Sequence, residues 1–198
     1  MYEKGLRIAK MLAVDASTLR REKFDLKNMC IGVKCGASDA TSGLVGNPVV
    51  GNIFDKVIEA GGTCLFGEST EIIGAEDILI NRALNQKVAN DIKNVVFKTK
   101  NRIKNVNEDI VTTNPVPENK MGGISTLEEK SIGAISKSGS KTISGVLSYG
   151  EIPRKKGLFF VDNWMSQNSI FSGFAAAGAH ILLHQLGGAG YTNVDLFT

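Results

Sequence analysis

Met29-Cys-Ile-Gly-Val-Lys34, then Cys35-Gly-Ala-Ser-Asp-Ala-Thr-Ser-Gly-Leu-Val-Gly46, then Asn47-Pro48, and finally Gly61-Gly62-Thr63-Cys-Leu-Phe66 form the stretch on which the fold turns. Met29 to Lys34 is a short apolar run rich in Ile and Val, which predicts a buried strand. Gly36 to Gly46 is dense in small residues and predicts a turn. Pro48 is tolerated in a first helical turn and predicts a helix from there to about Ala60. Gly61-Gly62 ends that helix, and Thr63 to Phe66 predicts the next strand. Strand, helix, strand in that order is a parallel βαβ unit. The predicted class is α/β: a Rossmann-like open, mostly parallel sheet with flanking helices.

Outward from this unit the pattern continues. Residues 3–22 predict a helix with apolar positions Leu6, Ala9, Leu12, Ala13, Ala16 and Leu19. Residues 71–104 predict largely helical structure, and Asn105 to Asn119, with Pro115 and Pro117, predicts a loop. A loop of that length inside a compact domain is often functional. Ser125-Thr126-Leu127-Glu128 is a capping-box pattern that starts a helix running to about Lys137, with Gly139 beyond its end. Thr142 to Tyr149, Gly157 to Val161 and Ile181 to Leu183 predict strands. Phe171 to Ala179 predicts a small-residue helix packed on the sheet. The expected organisation is one α/β domain over residues 1–198.

The composition excludes several functional classes. The chain has 198 residues, 42% hydrophobic and 22% charged, with a net charge of +3. That is ordinary for a globular protein and too mildly basic for a nucleic-acid partner. Three cysteines, an odd number, argue against a disulfide framework and for reduced thiols in a cytoplasmic protein. No apolar run is long enough to span a bilayer, and Met1 to Lys10 lacks the apolar core of a signal peptide. Neither a Walker-type phosphate loop nor a GxGxxG fingerprint occurs. His180 and His184 are four apart but lack the Glu of a zinc-protease helix, and the intervening Ile-Leu-Leu predicts buried structure.

Three segments have side chains suited to chemistry. In the first, Cys35 to Gly43 with Asn47, a turn between strand and helix offers backbone N–H groups to an anion. Asp39 suits a metal or a proton, Ser38 and Ser42 suit a polyol, and Cys35 suits a soft metal. The alternative is that Asp39 and the serines only cap the helix. In the second, Glu68 and Glu71 suit a hard cation or an acid–base pair, or Glu71 merely complements a helix amino terminus. The third runs from Asn114 through Asn119, Lys120, Gly122 and Gly123 to Thr126, Glu129 and Lys130. There glycines admit close approach of a ligand and a lysine can neutralise a carboxylate or act as a base; ordinary loop and capping roles are the alternative.

Taken together, and in this order, these segments resemble one family. Cys35-Gly-Ala-Ser-Asp39 with Ser42-Gly43 and Asn47-Pro48 is similar to its CGGSD…SG…NP signature. Glu68-Ser-Thr-Glu71 through Gly74-Ala75-Glu76 is similar to its ET-x-E-x-x-GAE segment. Asn114-Pro115 through Gly122-Gly123 to Thr126-Leu-Glu128-Glu129-Lys130-Ser131 is similar to its NP…N…GG-x-TT-x-EEKS block. Tyr149-Gly150-Glu151, Pro153 and Gly173 to Ala179 also fit. This is the altronate/galactarate dehydratase group, which includes the large subunit of sulfolactate sulfo-lyase.

The resemblance implies elimination of water from a sugar acid to give a 2-keto-3-deoxy acid, assisted by a divalent metal, iron(II) first and magnesium or manganese as alternatives. It implies catalytic positions at Cys35, Asp39, Glu129 and Lys130. Substrate-binding positions are implied at Ser38, Ser42, Asn47, Asn114, Asn119, Lys120, Gly122, Gly123 and Thr126, and metal positions at Glu68 and Glu71. It also implies a homo-oligomer and a partner resembling the family's small amino-terminal domain or subunit, the chain corresponding to a portion of the catalytic region. Sulfo-lyase action, or a non-catalytic sugar-acid-binding or assembly module, are the competing expectations. Two departures stand out. Ala37 replaces a second glycine, and Gln185-Leu-Gly-Gly-Ala189 replaces a TTGRG segment, removing an arginine suited to a second carboxylate.

Overall fold

A computed structural model describes residues 2–188. The predicted βαβ unit is present: β1 (Cys30–Gly36), α2 (Asn47–Glu59) and β2 (Thr63–Phe66), following an amino-terminal α1 (Tyr2–Thr18). Then come α3 (Glu76–Asn81), α4 (Gln86–Asn105), α5 (Ile110–Thr113), α6 (Pro117–Met121), α7 (Leu127–Ile135), β3 (Ile143–Leu147), β4 (Gly157–Val161), α8 (Gln167–Ala176) and β5 (Ile181–Leu186). The strands form one sheet in the order β3-β4-β2-β1-β5, and every pairing is parallel. All five carboxyl ends therefore lie at the same edge.

The sheet is covered on both faces, which is why its central strands read as unbroken apolar runs. Ile31, Val33, Cys64, Phe66, Leu158 and Phe160 pack with α2, α4 and α7 on one side. Cys30, Leu65, Phe159 and Val161 pack with Ile170, Phe171 and Phe174 of α8 on the other. Gly32 permits that second contact: a Cβ there would stand 2.8 Å from the Phe174 ring.

Several predicted boundaries need correction. The long helix expected over 71–104 is broken into a 3-10 turn at Ser69–Ile72, α3 and α4. Asn85 restarts the chain as an N-cap, its side chain accepting from the Val88 N–H. The loop expected over 105–119 contains the short helices α5 and α6. The capping box is one residue later than predicted: Thr126 is the N-cap and accepts from Glu129 N–H. Glu129 reaches back to Ser125, accepting from its N–H at 2.7 Å and its hydroxyl at 2.6 Å. α7 ends at Ile135 in a 3-10 turn, with Gly139 beyond it at φ +68. The small-residue turn before α2 closes as a π-helical turn, Ser42–Gly46. The predicted stripe on α1 has no buried residue, so no described residue buries it. Ala189, last in the segment that departs from the family pattern, lies outside the described residues.

Among the described residues no helix is long and apolar enough to cross a membrane.

Candidate active site

Beyond the carboxyl ends of β1, β2 and β5 lies a cavity of about 570 Å³, a size common for small-molecule sites. Lys34, Cys35, Ser38, Asp39, Glu68, Glu71, Asn119, Gly122, Lys130 and His184 are among its walls. Eight of the sequence-predicted positions line it: Cys35, Ser38, Asp39, Glu68, Glu71, Asn119, Gly122 and Lys130. They come from all three segments, which lie far apart in the chain.

Its floor is a set of buried ions. Glu68, at the end of β2, is 2% exposed. Its backbone is left-handed at φ 72, ψ 68, a strained conformation for a residue with a Cβ. Its N–H is held by Asn163 Oδ1 at 2.7 Å. Its carboxylate accepts from Lys34 Nζ at 3.2 Å and from the Cys35 N–H at 3.2 Å, and it pairs with Lys137 Nζ at 2.6 Å. Burial raises its pKa, but Lys137 and Lys34 outweigh that and hold it below the usual carboxylate range. Cys35 Sγ accepts from Lys137 Nζ at 3.1 Å. Burial, reinforced by Glu68, pushes the Cys35 thiol up to about 11, so it is a neutral thiol.

Glu71 differs from Glu68 although both are buried in the same wall. Its Oε1 lies 3.4 Å from Lys130 Nζ, and its Oε2 has no hydrogen-bond partner among the described residues. Burial dominates here and raises its pKa, with Lys130 opposing. Lys130 in turn donates to Asn114 Oδ1 at 2.6 Å and to Asn119 Oδ1 at 2.9 Å. An ammonium has three protons. Two of them are donated to the amide oxygens, with Glu71 alongside, so the Lys130 ammonium is anchored in the wall of the cavity. Asn119 also donates to Ser38 O at 2.8 Å, tying α6 to the Cys35–Gly43 turn.

The remaining predicted positions have other placements. Asp39 Oδ1 accepts from Thr41 Oγ1 at 2.6 Å and from Ser42 N–H at 3.0 Å. The Thr41 bond chiefly holds its pKa below the usual value. The capping reading of Asp39 and Ser42 therefore holds, while Asp39 also lines the cavity. Asn47 donates to Gly133 O at 2.9 Å and, with Ser42 and Glu129, lines a smaller adjoining cavity of about 210 Å³. Glu129 and Thr126 cap α7, and Lys120 and Gly123 are exposed outside the main cavity. Ala37, where the family pattern has glycine, sits at φ 45, a region in which glycine is at ease and alanine is strained.

The carboxylates do not suit a divalent cation. Glu68 has its oxygens taken by two ammonium groups and the Cys35 N–H, and Glu71 faces a third ammonium. A cation placed between them would meet three like charges. Among the described residues no group of three His, Cys, Asp or Glu is arranged to hold a metal.

Lys34, Lys137 and Asn163 were not anticipated, and His184 was read only as part of a buried segment. Lys34 carried a signal: a lysine in the middle of an apolar strand needs a buried counter-ion. Lys137, between two serines, has the look of a solvated surface residue and carried none.

The chain matches the family model described as D-galactarate/Altronate dehydratase, C-terminal, over residues 26–195. It is 39% identical over 186 residues to altronate dehydratase of Bacillus subtilis, covering 93% of this chain and 37% of that protein. It is 36% identical over 165 residues to the beta subunit of (2R)-sulfolactate sulfo-lyase of Chromohalobacter salexigens, covering 82% of this chain and 42% of that protein. It is 36% identical over 160 residues to galactarate dehydratase (L-threo-forming) of Escherichia coli, covering 81% of this chain and 30% of that protein. The chain thus spans well under half the length of these relatives.

Proposed function

The chain belongs to the D-galactarate/altronate dehydratase family, and on that premise we propose that it carries one wall of a hydro-lyase site. The reaction is loss of water from a 2,3-dihydroxy acid to give a 2-keto-3-deoxy acid. One observation carries the reading: of two buried carboxylates in one cavity, Glu68 is bonded by Lys34, Lys137 and the Cys35 N–H, whereas Glu71 Oε2 has no partner among the described residues, and their pKa values shift in opposite directions accordingly. Such divergence separates the group that stays ionised from the group that exchanges protons.

Glu71 is the proton-exchanging group. Its bare oxygen faces no competing donor among the described residues, and its raised pKa makes it a better base than an ordinary glutamate. It takes the C2 proton. The C2–H electron pair becomes the C2–C3 double bond as the C3–O bond breaks, and the departing hydroxide takes up the proton that Glu71 has removed, leaving as water and returning Glu71 to its carboxylate. The enol then tautomerises to the 2-keto acid. Negative charge develops on the substrate carboxylate as the C2 proton leaves. Lys130 and Lys34 line the cavity as fixed positive charges that stabilise it without reorganising. Glu68 pairs with Lys34 and Lys137 and holds both in place.

Elimination from sulfolactate is a second reading, favoured by the likeness to the sulfo-lyase beta subunit. The proposal includes a further domain or subunit closing the cavity, and a reducing, cytoplasmic location in which Cys30, Cys35 and Cys64 remain free thiols. The test is to incubate the purified protein, with and without an amino-terminal-type partner, with altronate, galactarate and sulfolactate. Formation of a 2-keto-3-deoxy acid, lost on Glu71→Gln, is expected. Sulfite release alone would favour the second reading, and no product in either setting would remove the enzyme reading.

A further inference from the structure

We infer that Arg82 is a positioning residue for the floor of the cavity: through the turn from Ser138 to Lys141 it sets Lys137 against Glu68 and Cys35. Its effect on turnover rests on the elimination reading above, whereas its effect on Lys137 does not.

Arg82 and the turn lie outside the cavity walls. Arg82 closes α3 as its C-cap residue. It donates from Nη1 to Ser138 Oγ at 3.0 Å and from Nη2 to Ser138 O at 3.3 Å. Nη2 and Nε also donate to Lys141 O, at 2.9 and 3.2 Å. A guanidinium presents its N–H groups in a rigid planar fork, and here both prongs and the stem meet one turn. The turn is gripped from its other side by α2. Asp55 accepts from Ser140 N–H at 2.8 Å, from Ser140 Oγ at 2.7 Å and from Lys141 N–H at 3.3 Å. A Cβ on Gly51 would stand 2.3 Å from Ser136 O, so α2 and the start of the turn meet backbone to backbone.

Lys137 lies within this gripped segment. A lysine among serines and glycine ordinarily keeps its ammonium in water, because burying the charge is costly. Here the side chain runs inward instead, to Glu68 Oε2 at 2.6 Å and Cys35 Sγ at 3.1 Å. The ion pair offsets the burial only while the turn delivers the ammonium at hydrogen-bond distance. Ser138, the next residue in the chain, is where Arg82 takes hold. Glu68 in turn pairs with Lys34 in the cavity wall. The contacts thus run from Arg82 through Ser138, Lys137 and Glu68 to Lys34.

The experiment observes lysine ammonium groups by NMR in protein labelled with nitrogen-15 lysine. Buried, hydrogen-bonded protons exchange slowly with water, so Lys137 should give a persistent signal, identified by its loss in Lys137→Met. Arg82→Lys keeps the charge but cannot bridge Ser138 and Lys141 as a fork does. It should shift or broaden the Lys137 signal, and Arg82→Ala should do so further, while the Lys130 signal stays. Should Arg82→Ala fail to fold, Arg82→Lys carries the test. Ile92→Val, a core change in α4 that touches none of these hydrogen bonds, is the control for lost stability and should leave the Lys137 signal in place. In turnover Arg82→Lys should lose on the order of tenfold to a hundredfold, chiefly in kcat, and should lose nothing further in the Lys137→Met background. A Lys137 signal that is missing from the unaltered protein, unmoved by the Arg82 variants or moved equally by Ile92→Val overturns the inference and leaves the elimination reading standing. Additive losses of turnover with Lys137→Met also overturn it. A signal that responds as expected in a protein that forms no product supports the positioning role and overturns the elimination reading alone.

Discussion

Lys137 Nζ stands 2.6 Å from Glu68 Oε2, and both side chains are 2% exposed. Burial alone would lower the Lys137 pKa, but the balance with its Cys35 and Glu68 contacts is upward, and Lys137 in turn holds Glu68 below the usual carboxylate range, so the Lys137–Glu68 contact is an ion pair at neutral pH. Removing one partner leaves the other charged, buried and under-compensated, which typically costs about 3–5 kcal/mol. Lys137→Met should therefore lose stability of that order in urea unfolding. Because Glu68 also faces Lys34, the double variant Lys137→Met/Glu68→Gln should lose clearly less than the sum of the two single losses. Additive losses would mean the pair is not coupled.

Glu71 gives a pH prediction with a definite sign. Its folded pKa is raised above the ordinary value of 4.5. The folded state therefore holds that proton more tightly than the unfolded chain. The stability this lends is complete below the unfolded pKa and is lost as pH climbs through the folded pKa. Glu71→Gln removes the dependence. Unfolding curves of the two proteins from about pH 4 to about pH 8 should show the variant gaining on the parent as pH rises, then levelling. A constant difference would mean that Glu71 titrates normally. In turnover the same variant should lose at least about a hundredfold.

Lys130 should not be replaceable by arginine. Its buried ammonium donates to two amide oxygens and lies 3.4 Å from the Glu71 carboxylate, contacts fitted to a compact head group. A planar guanidinium cannot meet that arrangement. Lys130→Ala should lower turnover at least about a hundredfold, and Lys130→Arg should recover little of it. Recovery to near-normal rates with arginine would show that only charge matters at this position.

The sequence disclosed the fold better than the floor of the site. Met29 to Phe66 was legible because a parallel strand buried on both faces is a run of apolar residues, and a glycine pair marks the helix end. Glu68, Glu71 and Lys130 were legible as positions because three separated motifs occur in the family's order. Their roles were not. Whether a carboxylate binds a metal or answers lysines depends on what stands beside it, and Lys137 reaches Glu68 from 69 residues away in the chain. The exposed stripe of α1 shows the converse: helical periodicity specifies an apolar face but not what covers it.

Gly122 separates a residue that touches a ligand from one that positions those that do. The sequence suggested close approach of ligand to backbone at Gly122 and Gly123. In the structure a Cβ on Gly122 would stand 2.7 Å from Asp39 Cβ and 3.2 Å from Asp39 Cα. Neither atom can swing aside, so Gly122→Ala must push α6 away from the Asp39 turn. Asn119 sits in α6 and supplies one of the acceptors around Lys130. The displacement should therefore loosen Lys130 as well as cost about 1–3 kcal/mol of stability. Gly123→Ala is the control. Its φ of +92 strains any side chain, but its Cβ would meet only Ala40 Cβ at 3.3 Å. It should cost about 1–2 kcal/mol and leave sugar-acid affinity close to that of the parent. Calorimetry on both variants, beside their unfolding curves, checks this: equal affinity losses at Gly122 and Gly123 would mean that the whole α6 turn, and not its contact with Asp39, governs the site.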